Sequence, residues 1–227
     1  MIIRKSILVS GILLISTLGF AQKSKRTSAN NYLSYGELDN AQEAIDPCIT
    51  NETTMGEAKT WFFRGQIYQA IYETKEEKYK SLHDNPLQVA FESFLKCMEL
   101  DDKNYHTDMV LRYLDVQGKQ FVNEGITKYN AKDYAGALAA FENTLKATDI
   151  EKIKRTDSLA IYYAGACAEQ INDLGKAEKY YRKSISIGYK AEGAYVRLER
   201  MYAEAGQDDK AFEILKEGRA AFPGNQT

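Results

Sequence analysis

The chain has 227 residues, 44% of them hydrophobic and 27% charged, with 30 basic against 32 acidic side chains. The signs are interleaved, which excludes the clustered Lys and Arg that phosphate binding requires, so nucleic acid is not an expected partner. With only three prolines, little strand-like alternation and apolar residues recurring at three- and four-residue spacing, the chain is predicted to be helical almost throughout.

Residues 1–21 have the form of a signal peptide. Arg4-Lys5 supplies a positive start, Ser6 to Phe20 is largely apolar and uncharged, and Gly19-Phe20-Ala21 offers small residues where a signal peptidase reads them. Cleavage before Gln22 is expected. The alternative, an uncleaved anchor, has an apolar stretch shorter than the roughly 20 residues of a bilayer span. No cysteine near the cleavage site suggests a lipid anchor. The mature protein is therefore expected to be exported, periplasmic, envelope-associated or secreted, without an integral membrane span. Loss of Arg4 and Lys5 leaves 28 basic against 32 acidic groups, a net charge of −4.

Residues 22–58 read as a polar N-terminus followed by degenerate helices. Leu38-x-x-Ala41-x-x-x-Ile45 has the form of the second helix of a pair, with Ala29 and Tyr32 left from the first. Gln22 to Ser28 is too polar to pack, and Pro47 should end the second helix. Residues 59–102 form a pair that has been opened. Trp61-x-x-Arg64-Gly65-x-x-Tyr68 marks its first helix and Ala90-x-x-x-Phe94 its second, with glycine and alanine 25 residues apart instead of 12. The 13 extra residues, about 73–85, are expected to form a longer first helix and a loop, a solvated extension or a partner-contact element. Asn85-Pro86 then restarts the second helix. Across 103–117, Met109, Val110, Tyr113 and Leu114 make one apolar stripe, which either lengthens the next helix or stands as an extra one capped near Thr107.

Three regular units follow, at 118–151, 158–191 and 192–225. Phe121-x-x-Glu124-Gly125 leads to Asp133-Tyr134-x-x-Ala137-x-x-x-Phe141. Ile161-x-x-Ala164-Gly165 leads to Asp173-Leu174-x-x-Ala177-x-x-x-Tyr181. Tyr195-x-x-Leu198 leads to Ala211-x-x-x-Leu215 and closes on Pro223. Ala177 and Ala211 are 34 residues apart, and Ala137 and Ala177 are 40 apart, one 34-residue unit plus a six-residue linker. Two short helices repeated at this period indicate a helical solenoid. A glycine inside a helix costs about 1 kcal/mol against alanine, so Gly125 and Gly165 are expected where Ala137 and Ala177 approach closely, with Phe141 and Tyr181 filling the space beside them.

These motifs resemble the tetratricopeptide repeat family. The last unit matches best, with Tyr195, Leu198, Tyr202, Gly206, Ala211 and Pro223 at signature positions. The departures are Glu124 and Lys128 at apolar positions and Glu199 at the close-contact glycine. The resemblance implies an all-α fold, a right-handed αα-superhelix or solenoid. It also implies a concave groove, lined by the first helices, that takes a peptide or partner helix. Carried over by position, the groove residues are Phe62, Gln66 and Gln69, then Val122, Ile126 and Tyr129, then Tyr162, Glu169 and Arg200. The stripe Val122, Ile126, Tyr129 is either an exposed patch or is covered by the inserted helical segment. The lysine and asparagine clamp by which some family members hold a C-terminal carboxylate is not assembled.

No catalytic set emerges, and no cofactor or metal is expected. His83 and His106 lack metal-ligand spacing, and no phosphate loop, HExxH or GxSxG occurs. Cys48, Cys97 and Cys167 read as small core residues. Cys97 shares its register with Thr144, Ser184 and Gly218. Asn51-Glu52-Thr53 is a weak glycosylation match. The function expected is a non-catalytic exported scaffold for an unidentified protein or peptide partner. The alternatives are self-association, as a homodimer through the C-terminal repeat, and a glycan- or small-ligand-binding accessory protein suggested by abundant tyrosine.

Overall fold

A computed structural model describes residues 22–224; the segment read as a signal peptide lies outside them. Among the described residues all regular structure is helical, and no helix is long and apolar enough to cross a membrane. The chain divides into two compact units, 1–114 and 115–227.

The first unit contains α1 (22–35), α2 (Leu38–Ile45), α3 (Ala58–Glu73), the single turn α4 (Glu77–Lys80) and α5 (Pro86–Leu100). It also holds the opening turns of α6 (Thr107–Asn130). The segment expected to be too polar to pack is helical and packs. Ala29 is buried, and Arg26 lies buried in an ion pair with Glu57, donating also to Thr60 Oγ1 at 3.0 Å. Thr60 Oγ1 donates in turn to the Thr54 carbonyl at 2.8 Å. The hydrocarbon stem of Arg26 crosses the interior and its charge meets a carboxylate, which a polarity count along the sequence does not register. The insertion lengthens the first helix by less than a turn, since α3 ends eight residues past Gly65 where α8 ends five past Gly165. Chain extension stops α3 at Glu73, where Thr74 is extended (ψ 143°), and the inserted segment makes its own turn, α4, which buries Tyr79. Asn85 occupies the N-cap of α5 without a side-chain cap bond, and Pro86 follows it.

The second unit holds the remainder of α6, then α7 (Tyr134–Asp149), α8 (Ser158–Gln170), α9 (Leu174–Ser186), α10 (Ala191–Glu204) and α11 (Asp208–Ala221), each packed on the next in sequence from α7 onward. The apolar stripe within 103–117 thus lengthens α6, which begins at Thr107, rather than forming a separate helix. Glu124 and Lys128, the two departures on α6, pair with each other at 2.6 Å.

One turn joins first helix to second in every pair but the opened α3–α5. Its central residue is left-handed: Gly36 (φ 76°), Lys132 (φ 65°), Asn172 (φ 60°) and Gly206 (φ 68°). The next amide reaches back five residues to a carbonyl, as in Glu37 to Tyr32, Asp133 to Lys128, Asp173 to Ala168 and Gln207 to Tyr202. This satisfies carbonyls that the helix end leaves open. Asp133 and Asp173 then cap the following helix, accepting from Gly136 N at 2.9 Å and Lys176 N at 3.0 Å. In each case a buried alanine follows five residues after the left-handed one: Ala41, Ala137, Ala177 and Ala211. The N-terminal pair is therefore built like the regular ones, with Ala29 in the glycine register.

The glycines face rings, not the alanines. A Cβ on Gly65 would lie 2.5 Å from Phe94, on Gly125 2.7 Å from Phe141 and on Gly165 3.0 Å from Tyr181. The alanine lets the helices approach, and the ring four residues later lies flat over the glycine. In the last pair the relation is inverted. Glu199 replaces the glycine, Leu215 replaces the ring and is partly exposed, and Gly218 on the second helix makes room for Tyr195 instead, where a Cβ would lie 3.2 Å from that residue's own Cβ. The register shared by Cys97, Thr144, Ser184 and Gly218 is indeed one of small residues. Thr144 Oγ1 donates to the Gly118 carbonyl at 3.1 Å, and Ser184 Oγ donates to that of Tyr189. All three cysteines are buried and free; burial pushes the Cys97 and Cys167 thiols up to about 12.

Gly125→Ala sets a helix-propensity gain of about 1 kcal/mol against overpacking of about 1–3 kcal/mol. The expected net result is a loss of about 1 kcal/mol in urea unfolding, reduced when Phe141→Leu is combined with it. A higher urea midpoint for the alanine variant would refute the ring-over-glycine account.

Candidate functional site

In the second unit the first-helix positions of α6, α8 and α10 carry a continuous set of tyrosines and charges. On α6, Val122, Ile126 and Tyr129 are half-buried and rest on the core of the unit. The Tyr129 ring meets Tyr134 edge-on at 5.5 Å and Tyr163 of α8 at 5.2 Å. Tyr163 in turn stacks on Phe141 at 5.9 Å. The stripe is therefore held by Tyr163 and Tyr134 of its own unit, with one edge left accessible. Burial raises the Tyr129 phenol above its ordinary value, so the ring is a neutral donor at physiological pH.

Tyr162, expected in the groove, is instead buried, its ring edge-on to Tyr163 and Tyr181 at 5.7 Å each. A residue adjoining the core register of Ile161 is drawn inward because α7 and α9 both pack on α8. Its hydroxyl accepts from Arg197 Nε at 3.2 Å. The ammonium of Lys190, in the connection before α10, lies 4.6 Å from the Tyr162 ring centre and 5.0 Å from that of Tyr163. Lys190 is itself left-handed (φ 47°), as the short passage from α9 to α10 requires.

Glu169, at the end of α8, ties three helices together. It accepts from Tyr181 of α9 at 2.5 Å, and from Arg197 at 2.9 Å and Arg200 at 2.6 Å, both of α10. Burial alone would raise its carboxyl, but the bonds from Tyr181, Arg200 and Arg197 outweigh it and hold the group below its ordinary 4.5. Both burial and the bond to Glu169 push the Tyr181 phenol up. The carboxylate thus stays charged and the phenol stays neutral across the physiological range. Such an arrangement fixes charge in place; it is poorly suited to passing protons.

The first-unit positions are placed differently. Phe62 is buried, stacked at 4.5 Å on His106, whose basicity is lowered chiefly by burial. Gln69 is buried and donates to Glu73 at 2.7 Å, while Gln66 is half-buried and donates to the Tyr113 hydroxyl at 3.3 Å. Tyr113 also stacks on Phe94 at 4.5 Å. His106 and the first turns of α6 therefore cover the face of α3, not the stripe farther along α6. Asp101 anchors this stretch, accepting from Tyr105, His106 and Thr107 backbone amides at 2.7–3.0 Å. Phe62 and Gln69 do not line an open groove. Of the nine expected positions, Tyr162, Glu169 and Arg200 are brought into one network, with Val122, Ile126 and Tyr129 beside it. Arg197, Tyr163 and Lys190 were not singled out from the sequence. The three-residue spacing of Arg197 and Arg200 on one helix face was the available signal.

No family model matches the chain, and no curated protein matches it. Solved structures do resemble it in fold. PilW, described as a widely conserved type IV pilus biogenesis factor, is 18% identical over 90% of this chain and 79% of its own, with a TM-score of 0.38. MamA 41-end from Desulfovibrio magneticus RS-1 is 15% identical over 91% and 98%, with a TM-score of 0.39. A kinesin light chain-like protein of Podosopora anserina with nearly identical TPR-like repeats is 13% identical over 87% and 93%, with a TM-score of 0.32. The fold is of the tetratricopeptide type. That assignment rests on the repeated turn and the ring-over-glycine pairs. Among the described residues no three His, Cys, Asp or Glu side chains are gathered as metal ligands.

Stability linked to Glu169 is complete above pH 4.5 and is lost as the pH falls through its depressed folded value. Glu169→Gln keeps the shape and removes the charge. It is expected to flatten the acid limb of the Tm-against-pH curve and to cost about 1–3 kcal/mol at neutral pH. Superimposable curves for the two proteins would exclude this role.

Proposed function

We propose that the protein is a non-catalytic, exported scaffold of the bacterial envelope that binds a protein or peptide along the α6, α8 and α10 face of its second unit. The observation that carries the reading is the adjacency of accessible tyrosine edges, at Tyr129 and Tyr163, to the pinned charges of Arg197, Arg200 and Glu169. Binding energy at protein interfaces concentrates in Tyr, Trp and Arg, and side chains already held in place lose little entropy on binding. The signal-like first 21 residues support export. Tyr162 is part of the core, so the informative substitutions are Tyr129→Ala and Arg200→Glu. Together they are expected to weaken partner recovery at least tenfold, about 1.4 kcal/mol or more, after crosslinking and affinity purification from native envelopes, with helicity by circular dichroism retained. Undiminished recovery with the double variant would remove this face from the binding account.

A second reading, self-association, is favoured by the outer side of α10 and α11. Val196 (57% exposed), Phe212 (68%) and Leu215 (37%) stand open to solvent there. A cleft of about 320 Å³ lies among Tyr195, Val196, Leu215 and Phe222. Sedimentation across a concentration series is expected to show a dimer that Phe212→Glu with Leu215→Glu dissociates. A monomer at every concentration would end this reading.

A further inference from the structure

The connection from α7 to α8 spans 150–157, whereas the equivalent one from α9 to α10 spans only 187–190. The longer passage is the linker that lengthens the repeat, and it opens a pocket of about 790 Å³ between α7, the connection and α9. Pockets that hold ligands are commonly about 300–1,000 Å³. Its floor is apolar: Leu145 of α7, Ile161 of α8 and Tyr180 of α9. Its rim carries Lys146, Lys154, Arg155, Lys179, Arg182 and Lys183.

The acidic residues of the lining are already engaged. Glu142 pairs with Lys176 at 2.9 Å and accepts from the Tyr180 hydroxyl at 2.8 Å. Asp149 takes Lys154 at 2.5 Å, and Asp157 caps α8 by accepting from Ala160 N at 3.0 Å. Arg155 is bound by Asp115, and Arg182 is shared between Glu178 at 2.8 Å and Glu217 at 3.3 Å. Lys179 and Lys183 have no carboxylate within ion-pair distance among the described residues, and Lys179 instead lies 5.1 Å from the Tyr180 ring centre. The lining thus carries six cations against three acids around an apolar floor, with Lys179 and Lys183 outside its ion pairs, although the chain as a whole is slightly acidic.

We infer that this pocket is a second docking site, for an acidic peptide segment that seats an apolar side chain on Leu145, Ile161 and Tyr180 and sets carboxylates against Lys179 and Lys183. The cations are strung along the helix, not converged on one point. Lys179 and Lys183 stand one turn apart, and Ser186 extends the same face, so the polar contacts run over about 10 Å. That arrangement matches an extended chain with several carboxylates better than a single phosphate. Tyr129, Tyr163, Arg197 and Arg200 take no part in the lining, so this site can succeed or fail independently of the α8–α10 face.

The test uses the full-length mature chain and a fluorescein-labelled octapeptide of alternating glutamate and leucine, read by fluorescence anisotropy. Saturable binding is expected, weakened at least tenfold when glutamine replaces glutamate in the peptide. Lys179→Glu with Lys183→Glu, both at exposed positions and checked by circular dichroism, should also weaken it at least tenfold, whereas Tyr129→Ala should leave it unchanged. Equal binding of the glutamine peptide, or insensitivity to the lysine substitutions, overturns the proposal. So does displacement by millimolar inorganic phosphate, which would assign a simple anion site. Binding to phosphatidylglycerol vesicles in place of the peptide would assign the rim to a membrane surface and likewise overturns it.

Discussion

The structure depends on an aromatic ring lying where a side chain is missing. In three helix pairs the ring of Phe94, Phe141 or Tyr181 covers a glycine on the partner helix. Burying such a ring is worth about 1.5–3 kcal/mol, more than the roughly 1 kcal/mol that a mid-helix glycine costs. The contact is steric and directional as well as favourable: the ring has one place to go, and occupying it fixes the depth at which the two helices meet. The α1–α2 and α10–α11 pairs lack the contact; Ile45 is nonetheless buried in the first, whereas in the second Leu215 is left partly in solvent. Gly218 and Tyr195 then supply a mirrored version from the opposite helix.

That constraint also positions the charges. Tyr181 is the one of the three rings that carries a hydroxyl; its face lies on Gly165 while its oxygen bonds Glu169 four residues further along the same helix. The same side chain therefore sets the α8–α9 packing and aims the carboxylate that holds Arg197 and Arg200. Phenylalanine at the equivalent positions of the other pairs gives the packing without the aim. The charged network lies in the second unit for this reason, even though glycine and ring recur in both.

The period, the Ala-x-x-x-aromatic rhythm and the small register at Cys97, Thr144 and Ser184 were legible in the sequence because they are local and repeated. What was not legible depended on one-off contacts. Gln22 to Ser28 has no apolar periodicity, yet Arg26 finds Glu57 and Thr60 more than thirty positions away. Transferring groove positions from the family pattern placed Phe62 and Gln69 in the open, because that pattern has no counterpart of His106 and the first turns of α6. Tyr113 and His106 close over α3 there. The cationic rim was likewise invisible to a charge count, since its members come from α7, a connection and α9 and are interleaved with acids along the chain.

The turn from first helix to second repeats almost without change, at Gly36, Lys132, Asn172 and Gly206, while the return connections span 46–57, 101–106, 150–157 and 187–190. The opened pair α3–α5 is the exception. Variation is thus largely partitioned: one edge of each pair is invariant and carries the packing register, and the other can lengthen without disturbing it. A residue added at Lys132 would set Ala137 and Phe141 out of step with Gly125, whereas a residue added near Glu151 would only reshape a wall. Length and composition can therefore change on the return side at little cost to folding, which makes those connections the natural place for related chains to differ.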